Sequence, residues 1–263
     1  MLQTYLQQLI NSLAELPQVD AIALGGSHST NTNDSLSDYD LYVYINDMIP
    51  VAVREKITLD TCSYMELNNQ FWETEDDGIL KCGTEIEIIY RSIQWLDNEL
   101  SNIVLKHRAS TGYSSCFWFN LLYSQITYDP NDQLGRLKTK YSQPYPEKLA
   151  ENIIQKNSPL LTDAMPAYSK QVKKALARND YYSVHHRVTE YLATYFDVLF
   201  AINRLVHPGE KKLIAYCLTR CPRLPEHFDT DIQRMLSMSA HADEKLVDHM
   251  NQTSKRLLQL CSN

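Results

Sequence analysis

The stretch Leu24-Gly25-Gly26-Ser27, followed after ten residues by Asp38-Tyr39-Asp40-Leu41, constrains this chain more than any other part of it. Val19-Asp20-Ala21-Ile22-Ala23-Leu24 leads into the glycines, and Leu41-Tyr42-Val43-Tyr44-Ile45 leads away from the acids; both runs are rich in residues that suit a sheet. Glycines at a strand end let the backbone turn tightly and bring peptide N–H groups against an anion without interference from a Cβ. Gly25, Gly26 and the hydroxyl of Ser27 are therefore candidate phosphate holders. Asp38 and Asp40 lie two apart at a strand start, so their carboxylates share one face and are candidate magnesium ligands. Two carboxylates that close repel each other unless a cation or a proton intervenes.

A third run, Glu85-Ile86-Glu87-Ile88-Ile89-Tyr90, repeats this geometry after a predicted turn region at Asp76-Asp77-Gly78 and Gly83. Placed beside the strand of Asp38 and Asp40, it brings three or four carboxylates to one sheet end, enough for two magnesium ions clamping an in-line displacement. Alternatively the third carboxylate stays off the metal and deprotonates an acceptor hydroxyl. The residues leave both roles open.

Beyond Pro144, Pro146 and Pro159 the periodicity changes to that of long helices. Val188, Tyr191, Leu192, Tyr195, Val198, Leu199, Ile202 and Leu205 predict a bundle helix over 187–206 that faces a core, stopped by His207-Pro208-Gly209. Further helices are expected at 211–219, 229–238 and 243–260. The fold class expected is α/β (α+β), a mixed-sheet domain over 1–145 followed by an all-helical bundle over 146–263. His185-His186 is read as lying just before the long helix, in a capping or surface role, and Phe117-Trp118-Phe119 as core.

Lys and Arg number 25 against 32 Asp and Glu, a net charge of −7, which argues against a surface that tracks long nucleic acid. No apolar run approaches the roughly 20 residues needed to cross a bilayer, and the amphipathic N-terminus lacks the charged start of a secretory signal. The six cysteines are scattered, which fits reduced thiols and a cytoplasmic location better than zinc or disulfides.

Gly26-Ser27 and Asp38-x-Asp40 resemble the pattern of the DNA polymerase beta-like nucleotidyltransferase superfamily, a GS turn followed about a dozen residues later by an acid-x-acid pair on a strand. The stretch Glu87-Ile88-Ile89-Tyr90-Arg91 looks like the third-acid strand of its small-molecule branch, favouring Glu87 over Glu85. The run Phe200-Ala201-Ile202-Asn203-Arg204, with His207-Pro208-Gly209-Glu210-Lys211, is similar to the helical domain of aminoglycoside and lincosamide nucleotidyltransferases. The resemblance implies magnesium at the acids and transfer of AMP from a nucleoside triphosphate, ATP, to the hydroxyl of a small molecule, with antibiotics among the candidate acceptors. It implies Asp38, Asp40 and Glu87 as catalytic and metal-binding residues, Lys211 or Arg204 facing the phosphates, and Glu190 facing the acceptor. The chain departs from the pattern at Thr30, where a basic residue is usual. A monomer or homodimer is expected; the reading from another class is a silent, antitoxin-like binding module on the same fold.

Overall fold

A computed structural model describes residues 2–25 and 38–262 of the chain. Gly26, Ser27, His28 and Thr30 lie outside the described residues. The chain divides into two units, residues 1–101 with 120–143, and residues 102–119 with 144–263.

The first unit is built on a mixed six-stranded sheet in the order β3-β4-β5-β2-β1-β6. Its strands are β1 Val19–Leu24, β2 Tyr39–Ile45, β3 Cys62–Asn69, β4 Glu75–Leu80, β5 Glu85–Arg91 and β6 Gln125–Tyr128. Every residue of β2 is buried, because the strand lies inside the sheet and is covered on both faces. It pairs antiparallel with β1, Leu24 opposite Leu41, and parallel with β5, Asp40 opposite Glu87. The helix Leu2–Ala14 lays Leu6, Leu9, Ile10 and Leu13 into the core that also holds Ile22, Leu41, Val43, Leu80, Ile86 and Ile88. Burial of this apolar surface supplies most of the drive to fold, at roughly 25 cal/mol per Å².

The expected turn at Asp76-Asp77-Gly78 is instead the middle of β4. Asp-Asp-Gly has turn chemistry, but tertiary packing overrides it: a Cβ on Gly78 would collide with the Met65 side chain and the Tyr64 carbonyl of neighbouring β3, so glycine serves close strand approach. The turn lies at Gly83, with φ +89°, where Leu80 and Thr84 close the hairpin.

The second unit is helical apart from its connections, and its central element is Tyr181–Asn203. Val184, Val188, Tyr191, Tyr195, Val198 and Leu199 form its core stripe with Val172, Cys217, Phe228, Ile232, Met235, Leu246, Met250 and Leu257. The helix begins six residues earlier than its apolar stripe predicts, because Asp180 caps it through Ser183 N at 3.1 Å. His185 and His186 consequently lie within the helix, and His185 Nδ1 meets Ser239 Oγ at 3.1 Å. It ends at Asn203, where Arg204 turns left-handed at φ +56°, before His207-Pro208-Gly209 is reached. The later helices are Leu213–Arg220, Phe228–Ala240 and Leu246–Gln259.

Residues 102–119 fall on the first-domain side of a single boundary at 145 but are part of the second unit. Side chains hold them there: Ser114 donates its N–H and hydroxyl to the Asp197 carboxylate at 2.9 and 2.7 Å, and Asn157 Nδ2 donates to Ser110 O at 3.0 Å. Trp118 and Phe119 are buried. Among the described residues no helix is long and apolar enough to cross a membrane, and all six cysteines are free.

Candidate active site

Three strands of the first unit bring carboxylates into one transverse row. In the β2–β5 register Asp40 is opposite Glu87, and in the β4–β5 register Asp77 is opposite Glu87. Residues opposite each other on neighbouring strands share a face, with strands about 4.8 Å apart. Glu75, two positions along β4, joins the same face. Oxygens of Glu75, Asp77 and Glu87 lie within 4.8 Å of one another. Asp40 is buried, and Glu75 is only 4% exposed. Asp38 is half-buried and directly precedes the first residue of β2.

Crowding and burial have an electrostatic consequence. Burial pushes the Glu87 carboxyl up to about 8, and the Asp40 charge, a hydrogen bond and charge from Glu75, and the Asp77 charge all push the same way. The row therefore attracts a proton or a cation. Its donor set is carboxylate oxygen throughout, which suits a hard divalent ion such as magnesium.

Neighbouring acids are treated differently by the fold. Arg91 forks onto Glu73 at 2.6 and 2.5 Å and lies against the rings of Tyr42 and Trp95. Asp76, on the opposite face of β4, receives Arg54 at 2.6 Å, the Tyr90 hydroxyl at 2.8 Å and Asn68 N at 2.7 Å. Glu73 and Asp76 are thus neutralised by arginine. Among the described residues Glu75 has neither a cation nor a donor outside the carboxylate group, and Asp77 has one neutral donor, Asn69 Nδ2 at 2.6 Å.

Gly25 sits beside this row, but not as a free phosphate donor. Its N–H donates to Asp40 O at 2.8 Å, and a Cβ at this position would collide with the Tyr42 ring. Its lack of a side chain serves ring packing against β2. Gly26 and Ser27, the other candidates for the phosphate, lie outside the described residues.

Glu85 opens β5, exposed and opposite Ile79, outside the group formed by Glu75, Asp77 and Glu87. Lys211 is exposed in a turn of the second unit before Leu213–Arg220. Arg204 is engaged by Glu147 through contacts of 2.6 to 3.0 Å and by the carbonyls of Ala201 and Ile202, a surface ion pair within the second unit. Glu190 is half-buried on the central helix. The sequence reading missed Glu75 and Asp77. Their signal was the period-two spacing Glu73-x-Glu75-x-Asp77, the spacing that identified Asp38 and Asp40.

Residues 6–104 match the nucleotidyltransferase domain family, and residues 118–213 match a domain of unknown function (DUF4037). No curated protein matches the chain. Among solved structures, a nucleotidyltransferase-like protein from Exiguobacterium sibiricum is similar at 14% identity and a TM-score of 0.42, covering 100% of this chain and 75% of that one. An aminoglycoside 6-adenyltransferase from Bacillus subtilis is similar at 10% identity and a TM-score of 0.28, covering 97% of this chain and 90% of that one. Both likenesses are too distant to carry a reading of substrate.

Proposed function

For a chain whose residues 6–104 form a nucleotidyltransferase domain, we propose transfer of AMP from ATP to a hydroxyl of a small molecule. The observation that carries this reading is the in-register pairing of Asp40 with Glu87 on the parallel strands β2 and β5, which unites two distant acidic motifs on one face. Asp38, Asp40 and Glu87 would hold magnesium, and the burial and mutual crowding of the carboxylates in the row fit that role. When bound, magnesium supplies charge neutralisation for the triphosphate and for the charge that develops in displacement.

The chain's own groups do the rest. Gly26 and Ser27 are assigned to the triphosphate, with Gly25 fixing the strand end beside Asp40. Lys211 is assigned to a phosphate oxygen. A bond forms between the acceptor oxygen and the α-phosphorus as the bond from that phosphorus to the bridging oxygen breaks. Pyrophosphate leaves with the bridging oxygen, and the hydroxyl proton passes to a carboxylate of the row. Holding the reactants in line supplies much of the rate.

The net charge of −7 supports a small acceptor over long nucleic acid. Free cysteines support a cytoplasmic location, and the chain is proposed to act as a monomer or homodimer. The test is ATP labelled on its α-phosphate, incubated with magnesium, the full chain and a panel of aminoglycosides, lincosamides and sugars. Label should move to an acceptor with equimolar pyrophosphate release, and Asp40→Asn should reduce transfer on the order of 10³-fold with an unchanged circular dichroism spectrum. Full activity in Asp40→Asn defeats this assignment. Magnesium-dependent ATP binding without any turnover supports the silent binding module instead.

A further inference from the structure

The second unit gathers positive charge that an acidic chain has ample means to neutralise and does not. A cavity of about 440 Å³ is lined by Lys106, His107 and Arg108, and by Asn152, Gln155 and Lys156 of the helix Glu147–Leu161. All of these residues belong to the second unit. Among the described residues no acid lines the cavity, although the chain has 32 Asp and Glu against 25 Lys and Arg. Glu151, on the same helix, is engaged by Lys148 at 3.0 Å. The side chains of Arg108 and Lys156 are exposed and make no ion pair or hydrogen bond among the described residues, and Lys106 Nζ donates to the neutral Asn102 Oδ1 at 3.0 Å. The backbone that carries them is nonetheless fixed. His107 is left-handed at φ +55°, its carbonyl accepts from Asn152 Nδ2 at 2.8 Å, and Arg108 N donates to Asn102 O at 2.9 Å. Three like charges around one concavity repel one another and focus a positive potential into it, which a bound anion relieves.

We propose that this cavity binds a small, multiply charged phosphate anion, of the class of a free polyphosphate or the phosphate chain of a nucleotide. The guanidinium fork of Arg108 can take two oxygens of one phosphate, while Lys106 and Lys156 act as point charges and Gln155 adds a neutral donor. The volume lies within the range of roughly 300–1,000 Å³ that small-ligand sites occupy. A long nucleic acid fits less well, because the chain carries −7 overall and three cations give too few phosphate contacts to hold it. The proposal stands apart from the nucleotidyl-transfer reading: its residues all come from the second unit and none is a carboxylate, so the anion binds without magnesium.

The test is a calorimetric titration of the full chain with tripolyphosphate, in chelator and at low ionic strength. The wild type should bind one anion per chain, and Arg108→Gln combined with Lys156→Gln should weaken it on the order of tenfold or more, the loss of two charge-assisted contacts. Lys173→Gln combined with Lys174→Gln removes the same charge from the exposed side of the helix Tyr168–Leu176 and should leave the affinity as in the wild type. Arg108→Lys keeps the charge but loses the fork, and should fall between the two. Circular dichroism and melting should match the wild type in each variant, because the exchanged side chains are exposed. ATP in chelator separates the two sources: tighter binding than tripolyphosphate assigns a nucleotide, and equal binding a free polyphosphate. No binding to the wild type at millimolar tripolyphosphate, wild-type affinity in the Arg108 and Lys156 double variant, an equal loss in the Lys173 and Lys174 control, or tighter binding of a single-stranded oligonucleotide would each overturn the proposal. Loss of transfer in Asp40→Asn, measured with magnesium, reports separately on the catalytic reading.

Discussion

Asp40 and Glu87 are direct neighbours across the parallel pair β2–β5, although 47 positions separate them in the sequence. Burial holds the Glu87 carboxyl up to about 8, and Asp40 across the pairing, Glu75 and Asp77 push it the same way. Between the unfolded value of about 4.3 and that folded value, the native state binds the extra proton. Stability of the metal-free protein should therefore be greatest below the unfolded value and fall as pH rises toward about 8. Melting in chelator across this range checks it; Glu87→Gln should flatten the slope, and an equally steep slope in that variant would refute the assignment.

A second pH dependence is expected in the second unit. Burial pushes the Asp197 carboxyl up to about 6, outweighing the opposing pull of the Ser114 hydroxyl and N–H. Because the folded value is raised, stability again declines as pH rises from about 4 to about 6 and then levels off. Asp197→Asn should remove that decline in urea unfolding. An unchanged pH profile would mean that another group titrates there.

Arg54 and Asp76 form an ion pair with relative exposures of 2% and 0%. Arg54→Met leaves Asp76 buried without its cation, and the expected loss is ~3–5 kcal/mol. Adding Asp76→Asn should recover part of it. A midpoint unchanged in urea for the single variant would show that water reaches the pair.

Lys211→Ala tests the proposed phosphate contact. The KM for ATP should rise on the order of tenfold, the scale of one charge-assisted contact, with the fold checked by circular dichroism. An unaltered KM removes Lys211 from the site.

The parts of the fold legible in the sequence were those whose signal is local. Val19–Leu24 and Tyr39–Ile45 carry their own strand composition, and the alternation of Glu85-x-Glu87 survives as a face of β5. Strand β4 was illegible because Asp76-Asp77-Gly78 has turn chemistry, and only Met65 and Tyr64 on the neighbouring strand reveal why the glycine is there. The start of the central helix was hidden because Tyr181 and Tyr182 are exposed and break the apolar stripe, leaving Asp180 as the only mark. The attachment of residues 102–119 to the second unit rests on Ser114 meeting Asp197, 83 positions away, which no short-range pattern encodes. For the site, the spacing of Asp38 and Asp40 and the row position of Glu87 were readable; the contribution of β4 was lost with the strand itself.

The collision that a side chain on Gly25 would have with the Tyr42 ring ties those two positions together. In related chains they should covary: an alanine or serine at the first should accompany a slimmer, non-aromatic residue at the second, and a tyrosine at the second should impose glycine at the first. Two positions 17 apart in the chain would then behave as a single unit of variation.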